Sequence, residues 1–136
     1  MKLITDKKLR KQYLNGELNT VSIQNYNDWR EWSFNRDRPA EEVYDYNHIL
    51  FADNRNEYRQ LFGAPTFTTG RQLEFPYKCW VLEFEGYHFL ILTAADKGTC
   101  YERIINPTDN EDEYIKKKMT IKFAKEIYKQ LKQISK

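Results

Sequence analysis

The sequence predicts an α+β fold: a three- or four-stranded antiparallel sheet with short N-terminal helices and one long C-terminal amphipathic helix. Three observations carry this expectation. Residues 79–105, CWVLEFEGYHFLILTAADKGTCYERII, read as two apolar strands around Glu85-Gly86, a turn at Asp96-Lys97-Gly98 and a third strand. Over residues 110–134, apolar side chains recur at helical spacing. The N-terminal part instead carries helix-capping and helix-stopping residues at short intervals.

Taken in order, Asp6 can cap a short helix that runs through Leu14 and ends at Asn15-Gly16. Residues 19–36 lack a clean period; with Trp29, Trp32 and Phe34 among them, they predict an irregular packed segment or a short helix. Asp37-Arg38-Pro39-Ala40-Glu41-Glu42 combines a capping Asp, an early Pro and first-turn acids that the helix dipole favours, predicting a helix to about Asn47. Another short helix begins at Asp53 and stops at Gly63, with Pro65 beyond it. The lone glycine of Leu61-Phe62-Gly63-Ala64-Pro65 is punctuation, since one glycine cannot make a phosphate cradle. Residues 72–75 form a candidate edge strand closed by Pro76.

With Glu85-Gly86 as a two-residue turn, the central hairpin pairs Trp80 with Ile91, Leu82 with Phe89 and Phe84 with Tyr87 on one face. The other face pairs Cys79 with Leu92, Val81 with Leu90 and Glu83 with His88. Both faces are apolar near the middle, so the hairpin should be central and covered by helices on at least one side. A strand over residues 99–105 follows and ends at Asn106-Pro107. Thr108-Asp109-Asn110-Glu111 fits a capping box for the last helix. Its apolar stripe is Ile115, Met119, Phe123, Ile127, Leu131 and Ile134.

Length and composition bound the class. The 136 residues point to one globular domain, large enough to build a core without metals or disulfides. A hydrophobic content of 40% beside 31% charged residues sets the chain apart from disordered sequences. Aromatic residues, at 15%, are frequent for so polar a chain. Such rings either fill a small core or face a partner, because Tyr and Trp join apolar area to a polar tip. The opening MKLITDKKLRKQ lacks the apolar stretch of a secretory leader, and the longest apolar run, residues 89–95, is too short to span a bilayer. Two cysteines are fewer than a secreted disulfide scaffold of this size usually carries, so a cytoplasmic location is expected. Lys, Asn, Tyr and Ile, all with A/T-rich codons, make up 44 residues, which fits a low-GC bacterium or one of its phages.

The net charge of +2 conceals a pattern. Residues 1–12 carry +4 and residues 111–136 carry +4, while the 98 residues between them carry −6. Two surfaces follow as candidates. Lys118, Lys122, Lys125, Lys129, Lys132 and Lys136 are spaced to line one side of the last helix, opposite its apolar stripe, with Tyr114 and Tyr128 flanking them. Such a ladder can track phosphates, each contact releasing counterions; it is also what the solvated face of an amphipathic helix looks like. The basic N-terminal segment adds to the first reading only if it folds beside this helix.

The second candidate is acidic and aromatic: Asp28, Trp29, Glu31, Trp32, Asp37, Glu41, Glu42, Tyr44, Asp45 and Tyr46. Acids interleaved with rings can occupy a basic, nucleic-acid-binding groove on a partner, carboxylates standing in for phosphates and rings for bases. The same pattern arises from surface helices whose rings face the core.

Catalytic and metal signatures are weak. Cys79, His88, Cys100 and His48 have atom types suited to zinc, but none are spaced as a ligand pair. A Cys79–Cys100 disulfide does not fit a reducing compartment. Cys100 with His88 or His48 could form a thiolate pair, and Glu83 opposite His88 could orient the imidazole. A metal nuclease would gather acids such as Glu83, Glu85 and Glu102, yet no Glu-x-Lys triplet accompanies them. No G-x-S-x-G, H-E-x-x-H or P-loop pattern occurs. The sequence therefore points first to a non-enzymatic inhibitor or adaptor of phage or mobile-element type, engaging a host protein or nucleoprotein through the acidic aromatic stretch as a nucleic-acid mimic. No metal, cofactor or membrane partner is expected. Nucleic-acid binding through the lysine face is the alternative, and a small hydrolase or nuclease using His88 with Glu83 or Cys100 is the third reading.

Overall fold

The computed structural model describes residues 1–22, 55–69, 76–94 and 98–134. Its elements are β1 (Lys2–Ile4), α1 (Lys8–Leu14), β2 (Asn19–Ser22), α2 (Arg55–Phe62), β3 (Phe67–Thr68), β4 (Lys78–Phe84), β5 (Tyr87–Ala94), β6 (Gly98–Ile105) and α3 (Glu113–Ile134). The fold is α+β, as expected, but the antiparallel sheet has six strands rather than three or four. The order is β1-β4-β5-β6-β2, and β3 pairs with β4 beside β1. The three unexpected strands are three, four and two residues long, too short for alternation to be read from sequence. Strand β2 also replaces the start of the segment expected to be irregular or helical. The helix expected over residues 37–47 and the edge strand over 72–75 lie outside the described residues.

The central hairpin has the register that a Glu85-Gly86 turn dictates, from Lys78 opposite Thr93 to Phe84 opposite Tyr87. Glu85 (φ 53°) and Gly86 (φ 82°) both have positive φ, the conformation whose twist matches that of the flanking strands. Strand β6 continues the ladder from His88 opposite Ile104 to Ala94 opposite Gly98. On the outer side, β1 and β3 share the edge of β4 end to end. Thr66 closes the join: its hydroxyl donates to the Ile4 carbonyl at 2.5 Å and accepts the Val81 amide at 3.0 Å.

Each face carries its own core, as a hairpin apolar on both sides demands. On one face Trp80, Leu82, Phe89, Ile91 and Tyr101 pack against Tyr58 of α2 and Phe123, Ala124, Ile127 and Leu131 of α3. Phe123 stacks on Phe89 with ring centroids 4.4 Å apart and 6° between planes. Tyr58 and Tyr101 join hydroxyls at 2.5 Å, so both polar tips are satisfied inside. On the other face Cys79, Val81, Leu90, Leu92, Cys100 and Phe67 pack with Leu9 and Tyr13 of α1.

At the start of α1 the capping position is taken by Lys7, with no side-chain cap, rather than by Asp6, which precedes it. Asp6 accepts the Lys8 amide at 2.9 Å, and Gly16 leaves with φ 70°. Helix α3 departs from expectation at its start. Glu111 is not a capping-box acid, because it is held by Arg103. Asp112 caps instead, its Oδ1 accepting the Ile115 amide at 2.8 Å. The expected stripe holds from Met119 to Ile134, but Ile115 is exposed, in a first turn that is not packed on the core.

The Phe89–Phe123 stack makes a direct prediction. Phe123→Ala should cost about 3–5 kcal/mol in urea denaturation, as for other buried Phe truncations. A loss below about 1 kcal/mol would show that α3 does not seal this face.

Candidate functional site

Lys118, Lys122, Lys125 and Lys129 are exposed on α3. The side chain of Lys132 and all of Lys136 fall outside the described part. Lys122 is engaged: its Nζ donates to Glu85 of the hairpin turn at 2.8 Å. The pair remains about half exposed on both sides, so it is a surface tie that salt would screen. The N-terminal basic segment does not reinforce the ladder. Leu9 and Tyr13 place α1 on the Cys79–Leu90 face, whereas α3 covers the opposite one.

The acidic aromatic residues Asp28, Trp29, Glu31, Trp32, Asp37, Glu41, Glu42, Tyr44, Asp45 and Tyr46 all lie outside the described residues, as does His48. In sequence they lie between β2, which ends at Ser22, and α2, which begins at Arg55.

The Cys100–His88 pairing is not assembled. His88 is opposite Glu83 and Ile104, whereas Cys100 is opposite Leu92. The two side chains share a face but sit four residues apart along it, about 13 Å by strand rise. Glu83 and His88 are cross-strand neighbours, Glu83 partly buried and His88 exposed. The three candidate acids do not converge either. Glu85 binds Lys122 at the turn, Glu83 neighbours His88, and Glu102 sits between Leu90 and Ser22 in the ladder. No group of three or more His, Cys, Asp or Glu among the described residues could hold a metal ion. Cys79 and Cys100 are both free and buried. Leu92 of β5 lies between them in register, so they are two strands apart, about 9–10 Å, beyond the reach of a disulfide.

What these residues form is a buried polar cluster that spacing did not reveal. Glu102 is only 9% exposed. Burial pushes its carboxyl above the ordinary range, against hydrogen bonds from Thr20 and Cys100 that act the other way. The Cys100 thiol lies 3.8 Å from Glu102 Oε1 and 3.1 Å from Ser22 Oγ. Burial first, then the Glu102 charge, raises both the Cys79 thiol and the Tyr13 phenol. A thiol held protonated in this way is a poor nucleophile.

Arg103 is the other residue whose role the sequence hid. It is buried, its guanidinium 3.9 Å from the centre of the Tyr87 ring. It donates to both carboxylate oxygens of Glu111, and Asp109 stands 3.9 Å away. That hydrogen bonding holds the Glu111 carboxyl below its usual range. The arrangement is a structural clasp between β6 and the approach to α3.

No family model matches the chain, and no curated protein or solved structure matches it. No helix among the described residues is long and apolar enough to cross a membrane.

The burial of Glu102 gives a pH signature. Its carboxyl is raised in the folded state, so folding retains a proton there that the unfolded chain releases. Stability is then lost as pH rises from the ordinary carboxyl value through the raised one. Glu102→Gln removes that loss. Its melting temperature relative to the parent should climb between pH 4 and pH 8, and a difference that stays flat across this range would refute a raised Glu102.

Proposed function

We propose that this chain is a small non-enzymatic binding protein acting in a cytoplasm: an inhibitor or adaptor of the kind that phages and other mobile elements encode. It engages a host protein or nucleoprotein through the acidic aromatic stretch Asp28–Tyr46, which mimics nucleic acid. One observation carries the reading. Residues 23–54 hold seven of the chain's acids, seven of its aromatic rings and only three arginines, all between one edge strand and one packed helix. A sheet with a core on each face provides a firm base for such a patch. Carboxylates beside Trp29, Trp32, Tyr44 and Tyr46 supply charge for steering and rings for anchoring. The separation of His88 from Cys100 supports a binding role over hydrolysis.

A second reading, nucleic-acid binding, draws on the exposure of Lys118, Lys125 and Lys129 along one flank of α3.

The two readings separate experimentally. Tagged protein should retain a specific partner from nuclease-treated cytoplasmic lysate. A Trp29→Ala/Trp32→Ala variant, or one with Glu41, Glu42 and Asp45 changed to Lys, should lose it. Recovery of no protein, or of one indifferent to both variants, would sink the docking proposal.

Binding through the lysines should instead appear as affinity for single-stranded oligonucleotides. With three phosphate contacts it should fall about twentyfold between 50 and 200 mM salt. Charge reversal at Lys118, Lys125 and Lys129 should abolish it, and salt-insensitive binding would remove this reading.

A further inference from the structure

Tyr114 is the most exposed large apolar side chain among the described residues, at 71%. It stands in the first turn of α3, ahead of the turns that meet the core, so packing does not account for its ring. Resting on the nucleic-acid reading of α3 given above, we infer that Tyr114 is a stacking platform for an unpaired base. The strand that carries this base then runs along the lysine flank of the helix, which makes the surface selective for single strands.

Helix geometry puts the ring and the cations together. At about 100° per residue, Lys118 and Lys129 fall about 40° and 60° around α3 from Tyr114. Phe123, fully buried, is about 180° away, and Ile127 and Leu131 lie beyond it. At a rise of about 1.5 Å per residue, Lys118 is about 6 Å along the axis from Tyr114 and Lys129 about 22 Å. A stacked strand advances about 3.4 Å per nucleotide, so the longer distance spans about six nucleotides, inside the range of about 4–16 for single-strand sites.

The acids of this helix and its approach have other duties. Glu111 is held by Arg103, Asp112 caps the helix, Glu113 stands 4.0 Å from Lys116, and Glu126 accepts from Gln130 at 3.2 Å. Glu85 engages Lys122. Lys118 and Lys129 are exposed, and neither has a carboxylate partner among the described residues.

A ring beside ammonium groups discriminates among polyanions. Every base has a π-face, so a ring accepts an unpaired strand of any sequence while lysines meet its phosphates. In a duplex the bases are covered by their neighbours, and only the phosphates are within reach. An acidic peptide brings charge without a regular succession of rings. A bilayer would require a broad apolar helix face, and that of α3 is buried against the sheet.

The test uses the full chain and fluorescence anisotropy at about 50 mM salt, low enough for phosphate contacts to register. The probes are a labelled oligothymidylate of about 12 nucleotides and an abasic strand of the same length, which keeps the phosphates and lacks the bases. Oligothymidylate should bind more tightly than the abasic strand. Tyr114→Ala should weaken oligothymidylate about fivefold or more and leave the abasic strand unchanged. Tyr114→Phe, which keeps the ring, should bind as the parent does. Lys118→Gln/Lys129→Gln should weaken both strands alike. The unchanged abasic affinity also reports that the Tyr114→Ala variant is folded. Equal affinity for the two strands, or a Tyr114→Ala variant that binds oligothymidylate like the parent, would overturn the stacking proposal while leaving binding through the lysines standing. Displacement of oligothymidylate by polyglutamate as readily as by unlabelled strand would overturn it in favour of an acidic polypeptide. Absence of binding to either strand would remove both the proposal and the reading beneath it.

Discussion

A buried guanidinium cannot be left uncompensated, and the way this chain meets that demand at Arg103 governs how its two halves join. Arg103 belongs to β6, next to Phe89 in the ladder, on the face that α3 covers. Removing its charge from water is costly unless geometry and hydrogen bonds restore what is lost. Tyr87 provides the stacking surface, while Glu111 and Asp109 provide the counter-charge. The segment between β6 and α3 therefore has to approach this one point. Further along α3, Phe123 stacks on Phe89. Nε of Arg103 remains the single buried side-chain nitrogen or oxygen without a hydrogen-bond partner among the described residues. The compensation is extensive but incomplete.

This clasp also explains where sequence reasoning succeeded and failed. The hairpin was legible because a two-residue turn fixes every pair that follows, and a one-residue slip would exchange the two apolar faces. Most of α3 was legible because its period persists over 22 residues. The capping box was not, since Glu111 satisfies local and tertiary rules equally well on paper and the buried arginine wins. Asp112, one residue later, takes over the cap. Strands β1, β2 and β3 were invisible for a different reason: two to four residues hold no periodicity, and only pairing with longer strands makes them extended.

The candidate sites divide along similar lines. Lys118, Lys122, Lys125 and Lys129 are exposed on α3, but the Lys122–Glu85 contact joins residues 37 apart and follows from how α3 crosses the hairpin turn. Cys100 and His88 looked compatible as residue types, and it is the register that separates them. Glu102 gave no signal, because an acid on a strand ordinarily faces water; its neighbours Ser22 and Thr20 come from a strand that the sequence did not disclose. The stretch Asp28–Tyr46 rests on composition and on its two points of attachment.

The seam at Thr66 has a bearing on solubility. Sheets end in rows of unmet amides and carbonyls, which invite a neighbouring molecule to add a strand. Here one margin is split between a three-residue piece and a two-residue piece, and at the seam a threonine hydroxyl occupies the Ile4 carbonyl and the Val81 amide. On the opposite side the described part of β2 is four residues long and pairs with the second half of β6. Among the described residues neither margin presents a long uninterrupted added strand, an arrangement that disfavours edge-to-edge pairing of copies beside a strongly apolar central hairpin.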